Sequence, residues 1–167
     1  GGCDSVLLMS YATDGAAIME ALSAQGFSGT IIGADGLADA AFIESFTDTS
    51  AVNGLIATRP RPGQDSAAKS SFEAAYAAAG GADGAIYTGE TYDAIKLTAA
   101  AIVSDPDGKN ILAALKNTGT NYAGASGVHT FDAWGDVLGT GYEVCQFDGT
   151  TFSCPQVWTA DGGLAGK

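Results

Sequence analysis

Basic residues are scarce in this sequence, and long apolar runs are absent. Only 7 lysines and arginines stand against 19 acidic residues among the 167, which gives a formal net charge of -12. Nucleic acids and anionic lipid surfaces are bound by basic faces, so we expect neither as a partner. No apolar run approaches the roughly 18 residues that a membrane-spanning helix needs. No signal peptide opens the chain, so we expect that one has been removed or that the chain begins downstream of it.

The sequence carries a single histidine, His129, and none of the short motifs that mark common catalytic sites. A zinc site needs four nitrogen or sulfur ligands, and no CxxC pair is present to supply them. A P-loop, a GxGxxG loop and a GxSxG elbow are also missing. We interpret His129 as a surface histidine or a hydrogen-bonded structural one. We therefore predict a protein that is not an enzyme and that needs no cofactor.

Two of the three cysteines flank an Asp-Gly turn signal, which typically joins two strands. A four-residue loop would place Phe147 opposite Phe152 and Cys145 opposite Cys154, with Cα atoms roughly 4.5–5.5 Å apart and within disulfide range. A two-residue loop would make the cysteines diagonal neighbours, and two buried free thiols are the alternative to a bridge. A Cys145–Cys154 disulfide would indicate an oxidising compartment. It would leave Cys3 without a disulfide partner in this sequence.

The first 60 residues alternate short apolar runs with helical patterns. Strands are predicted over 6–9, 27–32 and 54–58, and the helices between them are predicted to end near Gly26 and Phe46. This βαβαβ order is typical of a parallel sheet with right-handed crossovers. In such a sheet, ligands bind beyond the carboxyl ends of the strands. The sequence therefore predicts a binding edge formed by residues 10–12, 34–36 and 58–59.

After residue 58 the pattern changes. Two prolines and a glycine make residues 59–63 a stiff connector, which we interpret as a crossing between lobes. Helices are predicted over 66–79, 90–103 and 111–116, followed by short antiparallel strands over 128–131, 142–147 and 151–158. The helices lack enough strands of their own, which suggests a fragment of a larger α/β protein.

Several segments occur in the order found in one family. They are Asp4–Tyr11, Gly26–Phe27, Ile32–Leu37, Val52–Gly54, Thr58–Pro60, Thr91–Ile95, Gly124–Val128, Phe131–Asp136 and Gly141–Val144. In this order and spacing the sequence resembles the leucine/isoleucine/valine-binding type of periplasmic binding proteins. The resemblance implies a type I, Rossmann-like, three-layer α/β fold with two lobes, three crossover segments and a ligand in the cleft between the lobes.

The resemblance also implies that this chain corresponds to the C-terminal part of a longer protein. Residues 1–60 would belong to the C-terminal lobe, residues 61–121 would supply returning helices of the N-terminal lobe, and residues 122–167 would form the final crossover and the C-terminal strands. The missing N-terminal half of the same protein would then be a partner of this chain.

The function implied by the resemblance is that of the substrate-binding component of an ABC importer. Such a protein captures a branched-chain or related amino acid in the periplasm and presents it to a membrane permease. A ligand-sensing domain of a regulator or receptor with the same fold is the alternative.

Asp35 and Tyr11 are the leading candidate ligand contacts. The resemblance implies that the Asp35 carboxylate contacts the ligand amino group and that Tyr11 forms an aromatic wall. Asp35 would otherwise cap the following helix or stabilise its turn, and Tyr11 would otherwise be a packing tyrosine. Arg59 is interpreted as a salt-bridge former at the crossover rather than as a cation in the cleft.

Five further residues are predicted to line the same site. Gly36 would allow the backbone to approach the ligand, unless it serves only the turn, and Ala12 and Leu37 adjoin the two leading candidates. Tyr87 and Glu90 precede or begin a helix where the first lobe would meet the ligand. Glu90 would otherwise be an acidic residue favoured by the helix dipole.

Overall fold

The computed structural model describes residues 2–52, 54–82, 85–138 and 141–167. The chain forms two compact units. The first contains residues 1–61, 84–86 and 141–167, and the second contains residues 62–83 and 87–140. None of the described helices combines the length and the apolar character that crossing a bilayer requires. The assignment of segments to the lobes of a larger protein stays a prediction.

The first unit contains six strands, two α-helices and two 3-10 helices in its described residues. These are β1 (Ser5–Leu8), α1 (Ala12–Ala24), β2 (Thr30–Gly33), a 3-10 helix (Asp35–Leu37), α2 (Ala40–Glu44), a second 3-10 helix (Thr49–Val52), β3 (Ile56–Pro60), and then, after the second unit, β6 (Tyr142–Phe147), β7 (Phe152–Thr159) and β8 (Gly163–Gly166). The second unit contains α3 (Ala67–Ala78), α4 (Thr88–Ser104), α5 (Ile111–Thr118), β4 (Tyr122–Ala123) and β5 (Val128–His129).

The strands of the first unit form one sheet in the order β1-β2-β3-β6-β7-β8. β1, β2 and β3 are parallel, and the three C-terminal strands are antiparallel. The predicted βαβαβ unit and the predicted antiparallel strands are therefore confirmed. The C-terminal strands extend the sheet directly from β3, and β8 was not predicted.

Alternation along the short strands builds the core of the first unit. Leu8 and Ile31 lie on the sheet face that packs against Met19 of α1 and Phe42 of α2. On the other face, Leu7 pairs in register with Ile32 and Ile32 with Ile56. Leu7 is 65% exposed and Ile32 is 39% exposed. A core on one face and apolar side chains on both faces are typical of strands from an α/β sheet.

β2 begins at Thr30, three residues later than predicted. Gly26 adopts a left-handed conformation with φ of 77°, and the Phe27 amide donates to the Leu22 carbonyl at 3.0 Å. This closing turn satisfies carbonyl groups at the end of α1. Phe27 is consequently held in the helix terminus and cannot join the strand.

β3 ends at Pro60, so the prediction that residues 58–59 end the strand is wrong. The partner strand β6 extends the ladder, pairing Thr58 with Val144, Arg59 with Glu143 and Pro60 with Tyr142. Because β6 lies far along the chain, the local pattern around Thr58 could not indicate this pairing.

The predicted hairpin and disulfide are confirmed. Phe147 pairs with Phe152, and Cys145 is bonded to Cys154 with the Cα atoms 3.9 Å apart. The ladder between β6 and β7 changes register between Val144 and Gln146, at the cysteine. A register change of this kind is typical of a β-bulge. Cys3 is exposed and is not in a disulfide.

A buried carboxylate lies beside this hairpin. Glu143 is 3% exposed, and it accepts hydrogen bonds from Arg59 Nε at 2.8 Å and from Lys167 Nζ. Burial raises the pKa of Glu143, but the hydrogen bonds from Lys167 and Arg59 and their positive charges outweigh burial, so the pKa lies below its ordinary value. The preferred interpretation of Arg59 as a salt-bridge former is thus confirmed.

In the second unit a second buried carboxylate joins α4 to the loop before β5. Asp93 accepts hydrogen bonds from the amides of Ala125 at 2.9 Å and Ser126 at 2.8 Å, and from the Ser126 hydroxyl at 2.6 Å. Added side-chain atoms at Gly63 would collide with the backbone of Ser126, at 2.6 Å from its carbonyl oxygen. Asp93 therefore holds a loop on which the connector after β3 also packs.

We expect Glu143→Gln to reduce the pH dependence of stability. Because the folded-state pKa is lowered, the ionised carboxylate stabilises the fold above its unfolded-state pKa of about 4.3, and this contribution is lost as the pH falls from there through the folded-state pKa. Urea denaturation at about pH 7 and about pH 3 measures the free energy of unfolding of each variant. Glu44→Gln, on the exposed end of α2, is the matched control. Equal losses in the wild type and Glu143→Gln would contradict the prediction.

We expect Asp93→Ala to lower the free energy of unfolding by about 3 kcal/mol, because hydrogen bonds to a charged group contribute roughly 1.5–3 kcal/mol and buried amides without partners cost roughly 1–3 kcal/mol. Denaturant titration measures the change. Asp107→Ala is the control, since the Asp107 carboxylate is exposed and pairs with Lys109 at the surface. We expect this control to change stability by no more than about 0.5 kcal/mol. A loss for Asp93→Ala that is no larger than this would show that the buried hydrogen bonds are dispensable.

Candidate functional site

Two neighbouring loops form the candidate site at the carboxyl edge of the sheet. β1 ends at Leu8 and is followed by Tyr11, which is the N-cap of α1. β2 ends at Gly33 and is followed by the 3-10 helix that begins at Asp35. The Ala34 amide donates to the Leu8 carbonyl at 3.3 Å, which joins the two loops directly. The structure thus brings the segments of Tyr11 and Asp35 together on one edge.

Tyr11 and Asp35 are the two candidates with polar side chains at this edge. Tyr11 is 80% exposed, so it is not the packing tyrosine that the alternative interpretation required. Asp35 is half-buried in the first turn of the 3-10 helix. The following helix, α2, is capped by Asp39, whose carboxylate accepts from the Ala41 amide at 2.7 Å. Asp35 is therefore not needed as the cap of α2.

The other three predicted residues of this edge, Ala12, Gly36 and Leu37, are buried or partly buried in the first unit. Leu37 is completely buried in the core, and the side chain of Ala12 packs against the same core. Gly36 is buried as well. Any contact from Leu37 to a ligand would therefore involve backbone atoms.

Tyr87 and Glu90 lie at the beginning of α4, in the second unit. Tyr87 is the N-cap and adopts a left-handed conformation with φ of 62°. This conformation is uncommon for a bulky residue, and strained backbone is often retained at functional sites. Glu90 is half-buried in the first helical turn, where its charge also complements the helix dipole.

The sequence prediction missed the cluster of Asp93, Ser126 and His129. Ser126 Oγ lies 2.8 Å from His129 Nε2, and Asp93 Oδ2 lies 3.4 Å from the same nitrogen. In a hydrolytic triad the acid engages Nδ1 and the nucleophile engages Nε2. Here both groups meet Nε2, while Nδ1 of His129 is buried without a hydrogen-bond partner among the described residues. The cluster is therefore arranged as a structural support, in agreement with the interpretation of His129.

A cavity of about 220 Å3 opens at the opposite edge of the sheet, near the beginnings of β2 and β3. Its apolar lining comes from Met19, Leu22, Phe27, Ile31, Val52 and Leu55. No charged side chain lines it among the described residues. The edge with Asp35 differs from this cavity because it carries a carboxylate, which can pair with a cationic group.

In the described part of the chain, the one group of three potential metal ligands that lie close together is Glu143, Cys145 and Cys154. Both sulfur atoms are joined in the disulfide, and the Glu143 carboxylate is engaged by Arg59 and Lys167. These residues do not fit a metal site, because metal-binding cysteines coordinate as thiolates.

Comparison with known proteins supports the family seen in the sequence. Residues 1–150 match the family described as periplasmic binding protein. No curated protein matches the sequence.

Solved structures of amino-acid-binding proteins share the fold. The leucine-binding protein LivK from Thermotoga maritima is 26% identical with a TM-score of 0.78, over 95% of this chain and 45% of that chain. LivJ from Streptococcus pneumoniae, solved with isoleucine, is 19% identical with a TM-score of 0.71, over 92% of this chain and 44% of that chain. A substrate-binding protein from Desulfitobacterium hafniense, solved with leucine, is 18% identical with a TM-score of 0.64, over 90% of this chain and 43% of that chain.

This chain spans less than half the length of these three proteins. The predicted α/β architecture of type I periplasmic binding proteins is confirmed as a partial lobe, since both the family match and the shared fold extend over most of the chain. The chain belongs to the periplasmic binding protein family.

Proposed function

We propose that this protein is the substrate-binding component of an ABC importer and that it captures a branched-chain or related amino acid. Its family and the amino-acid-binding proteins that share its fold support this proposal. The role places the protein outside the cytoplasmic membrane, in the periplasm, where the disulfide between Cys145 and Cys154 would be stable.

The observation that carries the proposal is the position of Tyr11 and Asp35 on adjoining loops. Both loops follow parallel strands, and open α/β sheets bind ligands at this edge. The Asp35 carboxylate supplies a negative charge for a ligand ammonium group. The exposed ring of Tyr11 supplies an apolar wall and a hydroxyl group. Together they offer partners for the charged and the aliphatic parts of an amino acid.

Tyr87 and Glu90, at the beginning of α4, are also proposed as ligand contacts. The left-handed backbone of Tyr87 supports a functional role for this position. We propose that the ligand is bound without chemical change and that the bound form is presented to a membrane permease. Differential affinity of the ligand for a closed form would provide that signal. A segment that corresponds to the part of the relatives outside the match would supply the remaining contacts.

We expect Asp35→Ala to weaken the binding of L-leucine or L-isoleucine to the complete protein by about tenfold or more, because a charge-assisted hydrogen bond to the ligand ammonium group is lost. Isothermal titration calorimetry measures the affinity. Asp35→Asn retains the size of the side chain and removes its charge, so a similar loss would assign the effect to charge.

Asp4→Ala is the matched control for this experiment. It removes an exposed carboxylate from the residue before β1, at the other edge of the sheet. We expect this variant to bind as the wild type does. Unchanged affinity in Asp35→Ala would reject Asp35 as the ammonium partner, and an absence of binding to any amino acid by the wild type would reject the proposed function.

A further inference from the structure

We propose that Gly36 is a positioning residue, which acts by leaving room for the ring of Tyr11. The inference rests on the proposed function, in which Tyr11 forms a wall of the binding site. In the sequence, Gly36 suggested either a close approach of the backbone to the ligand or a requirement of the turn. The structure points to a third role.

The evidence is the space around the Cα atom of Gly36. A Cβ atom built there would lie 2.8 Å from Cδ1 and 3.2 Å from Cε1 of Tyr11, and 2.8 Å from the carbonyl oxygen of Ser10. Real Cβ atoms essentially never make contacts below 3.0 Å. Any side chain at position 36 would therefore displace the tyrosine ring or the loop that carries it.

Backbone conformation does not explain this glycine. Gly26 has a φ of 77°, which side-chain-bearing residues rarely adopt, whereas Gly36 is not among the residues with a left-handed φ. A close approach by a ligand does not explain it either, because Gly36 is buried beneath its neighbours. Space for the Tyr11 ring and for the neighbouring Ser10 carbonyl oxygen is the requirement that remains.

The contact matters because little else covers the ring. Tyr11 is 80% exposed, while its backbone is anchored by the Gly15 amide, which donates to the Tyr11 carbonyl at 2.8 Å. The anchored backbone and the lack of a side chain at Gly36 let the ring lie against residue 36 before a ligand arrives. A side chain that is ordered in advance loses less conformational entropy on binding, which increases affinity.

The first test needs no ligand. NMR of the complete protein with ring-labelled tyrosine should show a nuclear Overhauser effect between the Gly36 α-protons and the Tyr11 ring protons, and Gly36→Ala should shift the Tyr11 ring resonances. Gly33→Ala is the matched control, because its Cβ would meet Leu37 Cδ1 at 2.8 Å, in the core and away from Tyr11. An absent effect in the wild type would overturn the proposal even if Gly36→Ala fails to fold.

The second test is a double-mutant cycle with L-leucine as the probe. Gly36→Ala should weaken binding on the order of tenfold in the wild type and in Tyr11→Phe, since residues in direct contact couple at about this size. In Tyr11→Ala the same change should have a clearly smaller effect, because only the contact with the Ser10 carbonyl oxygen remains. Equal effects in all three backgrounds would overturn the proposal that Gly36 leaves room for the ring of Tyr11.

The two tests separate this inference from the proposed function. If the wild type binds no amino acid but the Tyr11 resonances respond to Gly36→Ala, the positioning role of Gly36 is supported and the proposed function is rejected. If L-leucine binds and those resonances do not respond, the proposed function stands and the role of Gly36 fails.

Discussion

The parallel pairing of β1 with β2 is the interaction on which the candidate site depends. Leu8 and Gly33, the last residues of the two strands, are partners in this ladder. Parallel strands point in one direction, so the loops that follow them must leave from one edge of the sheet. The segments of Tyr11 and Asp35 are distant in sequence and adjoin each other because β1 and β2 are parallel. Burial of Leu8 and Ile31 against α1 maintains the register, because a shift by one residue would expose them.

Each unit contains one buried carboxylate that binds residues distant from it in the sequence. Glu143 on β6 engages Arg59 at the end of β3, and Asp93 on α4 engages the loop of Ser126. A buried charge is tolerated only when its partners are in place, so each carboxylate specifies one arrangement of its surroundings. The disulfide between Cys145 and Cys154 adds a covalent constraint beside the first of them.

The structure narrows the predicted site. Five residues were predicted at the edge of the first unit. Tyr11 is exposed and Asp35 is half-buried there, while Leu37 belongs to the core. The sequence could not distinguish these cases, because an apolar residue after a strand suits both a core and a ligand wall. Gly36 gains a role that its place in a turn did not reveal. Family membership and the geometry of this edge are the two grounds on which we propose a binding protein for a branched-chain or related amino acid.

The sequence by itself determined the features that depend on near neighbours. Apolar runs and glycine stops indicated the βαβαβ order, and the Asp-Gly turn with its flanking phenylalanines indicated the hairpin and its disulfide. Only the tertiary structure decided the length of β3, the partners of Asp93 and the neighbour of Gly36. The physical reason is that periodicity and turn chemistry act over a few residues, whereas strand pairing, burial of a charge and room for a ring depend on groups brought together by folding. Glu143 lies 84 residues from Arg59, and no local pattern carries that contact.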